Sequence, residues 1–222
     1  VRGRARTTSG GGHAIWANTD DQDIQTTTDA SLATGWTLYD SAVGDADRAV
    51  TGMYMFNDLP FVGKDDGLWG YDRASDRFQE LLPEYNYLPS TDNFARGLAW
   101  KGWLYLSTAQ QGLVRLTNIP DGLRYEELGG AIAAPETADL GGRIRAITSD
   151  ANFIYVFQDR PVADSSSTKT TWLIAGREDR DSTTGMVRFR WHTLYEYDMG
   201  EIGAATTFFS HITEICNNMR FF

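Results

Sequence analysis

Three adjacent residues, Lys64, Asp65 and Asp66, carry the densest run of reactive groups in the chain. A lysine beside two carboxylates suggests acid–base work or cation binding. Acid–base catalysis by paired carboxylates, however, needs side chains that face one another across a gap. Adjacent residues on an extended chain diverge. The trio is followed by Gly67, Leu68 and Trp69 and preceded by "LPFVG", so it reads as a polar link between two strands, exposed to solvent. Acidic groups at alternate positions recur in "TDDQD" and "REDRDS". Oxygen ligands two residues apart suit calcium, so Asp21, Asp23, Asp179 and Asp181 are weak candidate ligands. Neither run has the glycine and closing glutamate of a helix–loop–helix calcium site. No other metal and no cofactor is expected.

The single cysteine, Cys216, has no partner in this chain for a disulfide and sits in an apolar context, "ITEICNN". The histidines, His13, His192 and His211, are far from it in sequence and match no zinc spacing. No Ser/His/Asp order stands out. The Ser-x-Asp-x-Gly-x-x-Trp turn of sialidases is absent, and Arg143, Arg145, Arg177, Arg180, Arg188 and Arg190 alternate along strands and loops rather than clustering about a tyrosine. No catalytic residue is therefore assigned, and an enzyme is not the expected reading.

The formal charge of -10 disfavours a nucleic-acid partner, which needs a basic patch. The only basic run is at the start, with Arg2, Arg4 and Arg6, and reads as a solvated tail. No stretch of 18 apolar residues occurs, so no inserted helix is expected. The first residues lack the apolar segment of a signal peptide, and the absence of a starting Met fits a processed or cropped chain.

The elements that must position these groups are strands. Short runs rich in β-branched and aromatic residues alternate with Gly, Asp and Asn clusters. They also repeat. "NDLPFVGKDDGLWGYD" (57–72) parallels "KGWLYLSTAQQGLVRLT" (101–117), and Gly67 and Gly112 hold the same place in each. An apolar strand precedes each pair (49–56 and 95–102) and another follows (77–83 and 123–129). A third copy runs through 142–149, 152–159, 171–177 and 186–197, with a Ser/Thr-rich connection at 160–170. "TGWTLYDSAVGDADRAVTG" (34–52) parallels "FRWHTLYEYDMGEIGAATT" (189–207), which places Trp36 and Trp191 together. "GHAIWAN" (12–18) then falls at the third-strand position of a first, incomplete unit.

A four-stranded unit repeating at this length signals a β-propeller blade. The expected fold is all-β, a β-propeller of four-stranded antiparallel blades. It is either four blades closed by a composite of the two chain ends or a slice of a larger ring. The expected organisation is one domain: a partial blade at 1–46, blades at about 47–93, 94–140 and 141–198, and a partial blade at 199–222.

"LPFVGKDDGLWGYDRASDRFQEL" (59–81) resembles the repeat of two-component-regulator propeller domains. Gly63, Asp65, Asp66, Gly67, Leu68, Tyr71 and Asp72 fit it, as do Ser107, Thr108, Gly112, Leu113 and Arg115 in the next copy. The third copy departs by lacking the Gly-Leu pair. The text is also similar to blades of propeller proteins in phage particles and on bacterial surfaces. The resemblance implies a fold rather than a ligand. The expected function is a non-catalytic binding or scaffolding module of an extracellular, virion or cell-surface assembly, with protein partners or a glycan. The alternatives are a periplasmic sensor propeller recognising a glycan and a sialidase-like glycosidase. Contacts are expected on the long polar loops 19–29, 160–170 and 178–185, with Asp164, Ser165, Ser166, Lys169 and Trp172 as named candidates. Most of the seven tryptophans fall on strands and are expected to pack between blades.

Overall fold

A computed structural model describes residues 2–6, 13–18, 23–28, 34–40, 43–83, 88–109, 112–119, 122–128, 144–162, 165–180, 182–185 and 187–198. These residues form sixteen strands and no α-helix. The strands make four sheets of four, each a meander of consecutive antiparallel neighbours. This is the β-propeller blade expected from the repeats. Blade 1 holds β1 (Arg2–Arg6), β2 (His13–Asn18), β3 (Ile24–Thr27) and β4 (Thr37–Asp40). Blade 2 holds β5 (Val50–Phe56), β6 (Leu59–Lys64), β7 (Leu68–Asp72) and β8 (Arg77–Leu81). Blade 3 holds β9 (Gly97–Trp100), β10 (Trp103–Thr108), β11 (Gly112–Ile119) and β12 (Gly122–Glu127). Blade 4 holds β13 (Ile144–Ser149), β14 (Ile154–Val162), β15 (Ser165–Arg180) and β16 (Val187–Asp198). The chain divides into two compact units, Val1–Ala99 and Trp100–Phe222.

The first blade differs from its sequence reading. "GHAIWAN" is the second strand rather than the third. The third is "IQTT" (24–27), inside the stretch expected to be a contact loop. The first is "RGRAR" (2–6), expected to be a tail. It pairs with β2 from Arg2 opposite Ala17 to Arg6 opposite His13. Blade 1 thus takes all four strands from 2–40 and needs no composite of the chain ends. Residues 199–222, read as a partial blade, lie outside the described residues.

Local chemistry explains the hairpins. Between β5 and β6, Asn57 and Asp58 both adopt positive φ, 51° and 59°. Lys101 and Gly102 do the same between β9 and β10, at 47° and 79°. Two consecutive left-handed residues make the turn whose twist matches the flanking strands. At the same place in blade 4 the side chain of Asp150 does the work. It accepts from the backbone N–H groups of Asn152 and Phe153, both at 2.7 Å, and from the Tyr155 hydroxyl at 2.8 Å.

Each unit has its own core. In the first, Trp16, Ile24, Val43, Met53, Val62, Trp69, Tyr71 and Phe78 form one buried cluster drawn from blades 1 and 2 and their link. Trp16 is the hinge of it, with its ring 4.5 Å from Tyr39, 5.8 Å from Tyr71 and 6.0 Å from Phe78. In the second unit Leu104, Tyr105, Leu106, Leu113, Val114, Leu116, Ile154 and Val156 are fully buried.

The Lys-Asp-Asp trio splits. Asp65 and Asp66 do form the turn after β6, and Asp66 pairs loosely with Arg48 at 3.6 Å. Lys64 does not belong to the solvated turn. It is the last residue of β6 and is fully buried. Its Nζ donates to the backbone carbonyls of Val43 at 2.9 Å and Asp45 at 2.5 Å, and sits 5.7 Å from the Trp69 ring centroid. Those carbonyls belong to the link between β4 and β5, so the ammonium ties the connection to blade 2. Hydrogen bonds from a charged donor contribute roughly 1.5–3 kcal/mol each. Lys64→Met should therefore lower unfolding stability by about 2–4 kcal/mol, whereas Asp66→Asn should change it by less than about 1 kcal/mol. Urea denaturation of the two variants measures both values, and equal effects would restore the solvated-turn reading.

Candidate functional site

Charged and aromatic side chains gather where blade 3 meets blade 4, around Arg115. The register puts Tyr105 of β10, Arg115 of β11 and Glu126 of β12 side by side on one face of blade 3. Arg115 is buried. Its Nε and Nη2 reach the same Glu126 oxygen at 2.7 and 2.6 Å. Its Nη1 donates to Glu178 of β15, in blade 4, and to the Tyr105 hydroxyl at 3.4 Å. The guanidinium lies 4.0 Å from the Trp103 ring centroid and 5.3 Å from that of Phe189. Burial alone would lower the Arg115 pKa, but the hydrogen bonds with Tyr105, Glu178 and Glu126 outweigh it and raise it. Burial pushes the Tyr105 phenol up. Arg115 is thus a fixed cation held between two carboxylates and two rings, and it clamps blade 3 to blade 4. The indole Nε1 of Trp100 adds a second link, donating to the Asp150 carbonyl at 2.7 Å.

On blade 4, Gly176 of β15 lies opposite Trp191 of β16. A Cβ at Gly176 would come within 2.3 Å of the Trp191 ring and 2.5 Å of the Phe189 ring. Glycine is what lets both rings lie against the strand. Phe189 and Trp191 stack at 4.8 Å, and Phe189 continues to Tyr105 at 6.2 Å. The aromatic layer therefore runs from blade 4 to blade 3 around the arginine.

A second cluster joins blades 1 and 2. Tyr39 is the extra residue of a β-bulge, since Ile24 pairs with Asp40 and the next residue, Gln25, with Leu38. A bulge re-aims its side chain, and Tyr39 meets Tyr71 of β7, with their phenol oxygens 2.7 Å apart. Both hydroxyls also donate to Oδ1 of Asp76. Three oxygens share two protons. Burial, reinforced by the Asp76 carboxylate, raises the Tyr39 phenol well above its ordinary range and raises that of Tyr71 in the same direction. The same bonds from Tyr39 and then Tyr71 hold the Asp76 carboxyl below its ordinary range.

The residues singled out from sequence fall elsewhere. Asp23 directly precedes β3, and Asp21 and Asp181 lie outside the described residues. Asp179 is on β15, not in a loop, and pairs with Arg190 at 3.0 Å. Among the described residues no three His, Cys, Asp or Glu side chains are grouped to hold a metal. Of the contact candidates, Asp164 lies outside the described residues. Ser165, Ser166 and Lys169 are strand residues of β15, as is Trp172, which pairs across to Gln158 and Glu196. The stretch expected to be a loop at 160–170 is thus mostly a hairpin arm, with Arg160 opposite Thr170 and Pro161 opposite Lys169. The tryptophans divide: Trp16, Trp69 and Trp100 are buried, and Trp36, Trp103, Trp172 and Trp191 are partly exposed. In the sequence, Tyr71 and Arg115 have only a place in the repeat, and Tyr39, Asp76, Glu126 and Glu178 carry no signal that singles them out. Tyr105, Arg115 and Glu126 could have been aligned from the two hairpins of blade 3. Glu178, 63 residues from Arg115, leaves no local sign.

No family model matches the chain, and no curated protein matches it. Among solved structures, the extracellular domain of a one-component system of B. thetaiotaomicron aligns at 15% identity and a TM-score of 0.47, over 85% of this chain and 27% of that one. A bifunctional GH43-CE protein of Bacteroides eggerthii aligns at 11% identity and a TM-score of 0.33, over 86% of this chain and 27% of that one. The chain therefore spans about a quarter of the length of each.

The Asp76 cluster has a pH signature. A carboxyl lowered in the folded state contributes stability that is present above its unfolded pKa, about 3.9, and is lost as pH falls through the lower folded value. The melting temperature of the native chain should fall between about pH 5 and pH 2.5 more steeply than that of Asp76→Asn. Asp72 and Asp150 are also lowered, so the difference between the two curves is the quantity to read. Parallel curves would contradict the assignment.

Proposed function

We propose that this chain is a non-catalytic β-propeller module that binds and scaffolds within a larger extracellular, phage-particle or cell-surface assembly. The observation that carries this reading is the length of β15. The third strands of blades 2 and 3 have five and eight residues, and β15 has sixteen. Its extra length forms two arms at opposite ends of blade 4. At one end, β14 and β15 continue pairing to Val162 and Ser165, beyond Gln158, where the ladder with β13 begins. At the other, β15 and β16 pair alone from Arg177–Arg190 to Arg180–Val187. The second extension carries Glu178 and Phe189 onto Arg115 of blade 3, so it is the first, from Asp159 to Val162 and Ser165 to Thr171, that reaches past the ladder with β13. Ordered strands that project past a packed body are suited to presenting contacts at little entropic cost.

The interior of the units supports the same reading. The buried charges Lys64 and Arg115 are each engaged by groups that join one part of the scaffold to another. The resemblance of blades 2 and 3 to two-component-regulator repeats, and to blades of particle and surface proteins, agrees with a module whose frame is kept while its projections vary.

Trimming the arm tests the proposal. Because Arg160 and Thr170 are a register pair, residues 161–169 can be replaced by Asn-Gly, which closes the hairpin there. The trimmed protein should melt within a few degrees of the native chain and fail to co-sediment with the particle or envelope fraction that retains the native chain. Undiminished co-sedimentation of a folded, trimmed protein would overturn the proposal.

A further inference from the structure

The tyrosine pair between blades 1 and 2 is arranged as two reactants and a base. The ring centroids of Tyr39 and Tyr71 are 5.9 Å apart at 62°, yet their phenol oxygens are only 2.7 Å apart. The rings therefore lean together at their hydroxyl ends, and the ring carbons flanking each hydroxyl come close with them. Trp16 packs against both rings, at 4.5 and 5.8 Å, and holds them in that pose. Both hydroxyls donate to Oδ1 of Asp76. Asp76 is exposed and lies in the turn between β7 and β8 at a φ of 57°, a left-handed value that aspartate tolerates. The two phenols hold its carboxyl below the ordinary range, so it is ionised at neutral pH and able to accept a proton.

We propose that Tyr39 and Tyr71 are an oxidative cross-linking site, at which a one-electron oxidant joins the two rings covalently. The oxidant is external to the chain and of the haem-peroxidase class, supplied with hydrogen peroxide. Tyr39 is partly exposed and gives it access, whereas Tyr71 is buried. Each phenol gives one electron to the oxidant and its hydroxyl proton to Asp76, which passes the proton to water. The acceptor matters, because a phenol that lost an electron and kept its proton would leave an unpaired cation among buried rings. The two phenoxyl radicals then couple through ring carbons next to oxygen. One carbon–carbon bond forms, and the hydrogen on each joined carbon moves to its oxygen, which restores both phenols. The pair loses two hydrogen atoms in all, and one hydrogen peroxide becomes two waters. The link joins residues 32 apart in sequence and staples blade 1 to blade 2, which removes conformations from the unfolded chain. The inference stands apart from the arms of blade 4.

Brief light-driven oxidation of the dilute full chain by ruthenium tris-bipyridine and persulfate tests it. Persulfate takes the place of peroxide as the final electron acceptor and ends as sulfate. The native chain should stay monomeric on a denaturing gel, lose two hydrogen atoms by intact mass and show the blue emission of bityrosine. Proteolysis should release one peptide pair joined through Tyr39 and Tyr71, and the linked protein should melt at a higher temperature. Tyr39→Phe and Tyr71→Phe should each abolish the joined pair. Asp76→Asn, checked as folded by its melting curve, should slow the linkage about tenfold or more, while oxidation of the exposed Tyr195 proceeds as in the native chain. Because the joined peptides are read in the native chain, the test does not depend on the phenylalanine variants folding. A folded native chain that couples only between molecules, through exposed tyrosines such as Tyr195, would overturn the inference. So would an Asp76→Asn variant that links Tyr39 to Tyr71 as fast as the native chain does.

Discussion

A four-stranded sheet with apolar residues on both faces cannot be stable in water by itself. Each of its faces must be covered, and the partner has to be another sheet of similar width. This requirement shapes each unit of the molecule. In the first, Trp16 of blade 1 is buried among Met53, Val62, Tyr71 and Phe78 of blade 2. In the second, Tyr105 of blade 3 is fully buried and its ring lies near Phe189 of blade 4. Fully burying one large apolar side chain contributes roughly 1.5–3 kcal/mol, so a handful of such residues sets the stability of each blade pair. The polar contacts must fit inside that geometry.

They do so in different ways. Lys64 spends its charge on backbone carbonyls of a link, whereas Arg115 binds two carboxylates from different blades. Tyr39, Tyr71 and Asp76 form a hydrogen-bonded set at the outer part of the first pair. A buried ion pair is weak evidence of net stability, because desolvation opposes attraction, but removing one partner leaves an uncompensated charge. Such groups therefore specify how two blades meet. A nonspecific slide of blade 4 against blade 3 would separate Arg115 from Glu178 and deprive the buried guanidinium of one of its two carboxylates.

The strands of blades 2 to 4 were legible because their apolar residues alternate and their turns recur at the same places. "LPFVG" and "WLYLS" fall in β6 and β10, and the next strand begins at the leucine of Gly67-Leu68 in blade 2 and at the glycine of Gly112-Leu113 in blade 3. The errors have one cause. Threonine, serine and arginine were counted as loop residues, although β-branched threonine suits a strand and a ladder asks only for backbone groups. So "IQTT", "RGRAR" and the Ser/Thr run after Asp164 were read as loop or tail. Pro161 is compatible with the strand because it lies in β14 beyond the ladder with β13, where a missing N–H costs little. Lys64 was misplaced for a related reason. Its neighbours are turn residues, and nothing local shows that the link at 43–45 passes over the end of β6. The inter-blade contacts were the least legible, since Arg115 and Glu178 are brought together only by the packing of two finished sheets.

The buried cations Lys64 and Arg115 join one part of the scaffold to another. A double-mutant cycle on Arg115→Met and Glu178→Gln, followed by urea denaturation, tests that claim across the two blades of the second unit. Glu178 is partly exposed, which moderates the expected value. The coupling should be about 1 kcal/mol or more in favour of the pair. Additive effects of the two substitutions, with no coupling, would contradict the account.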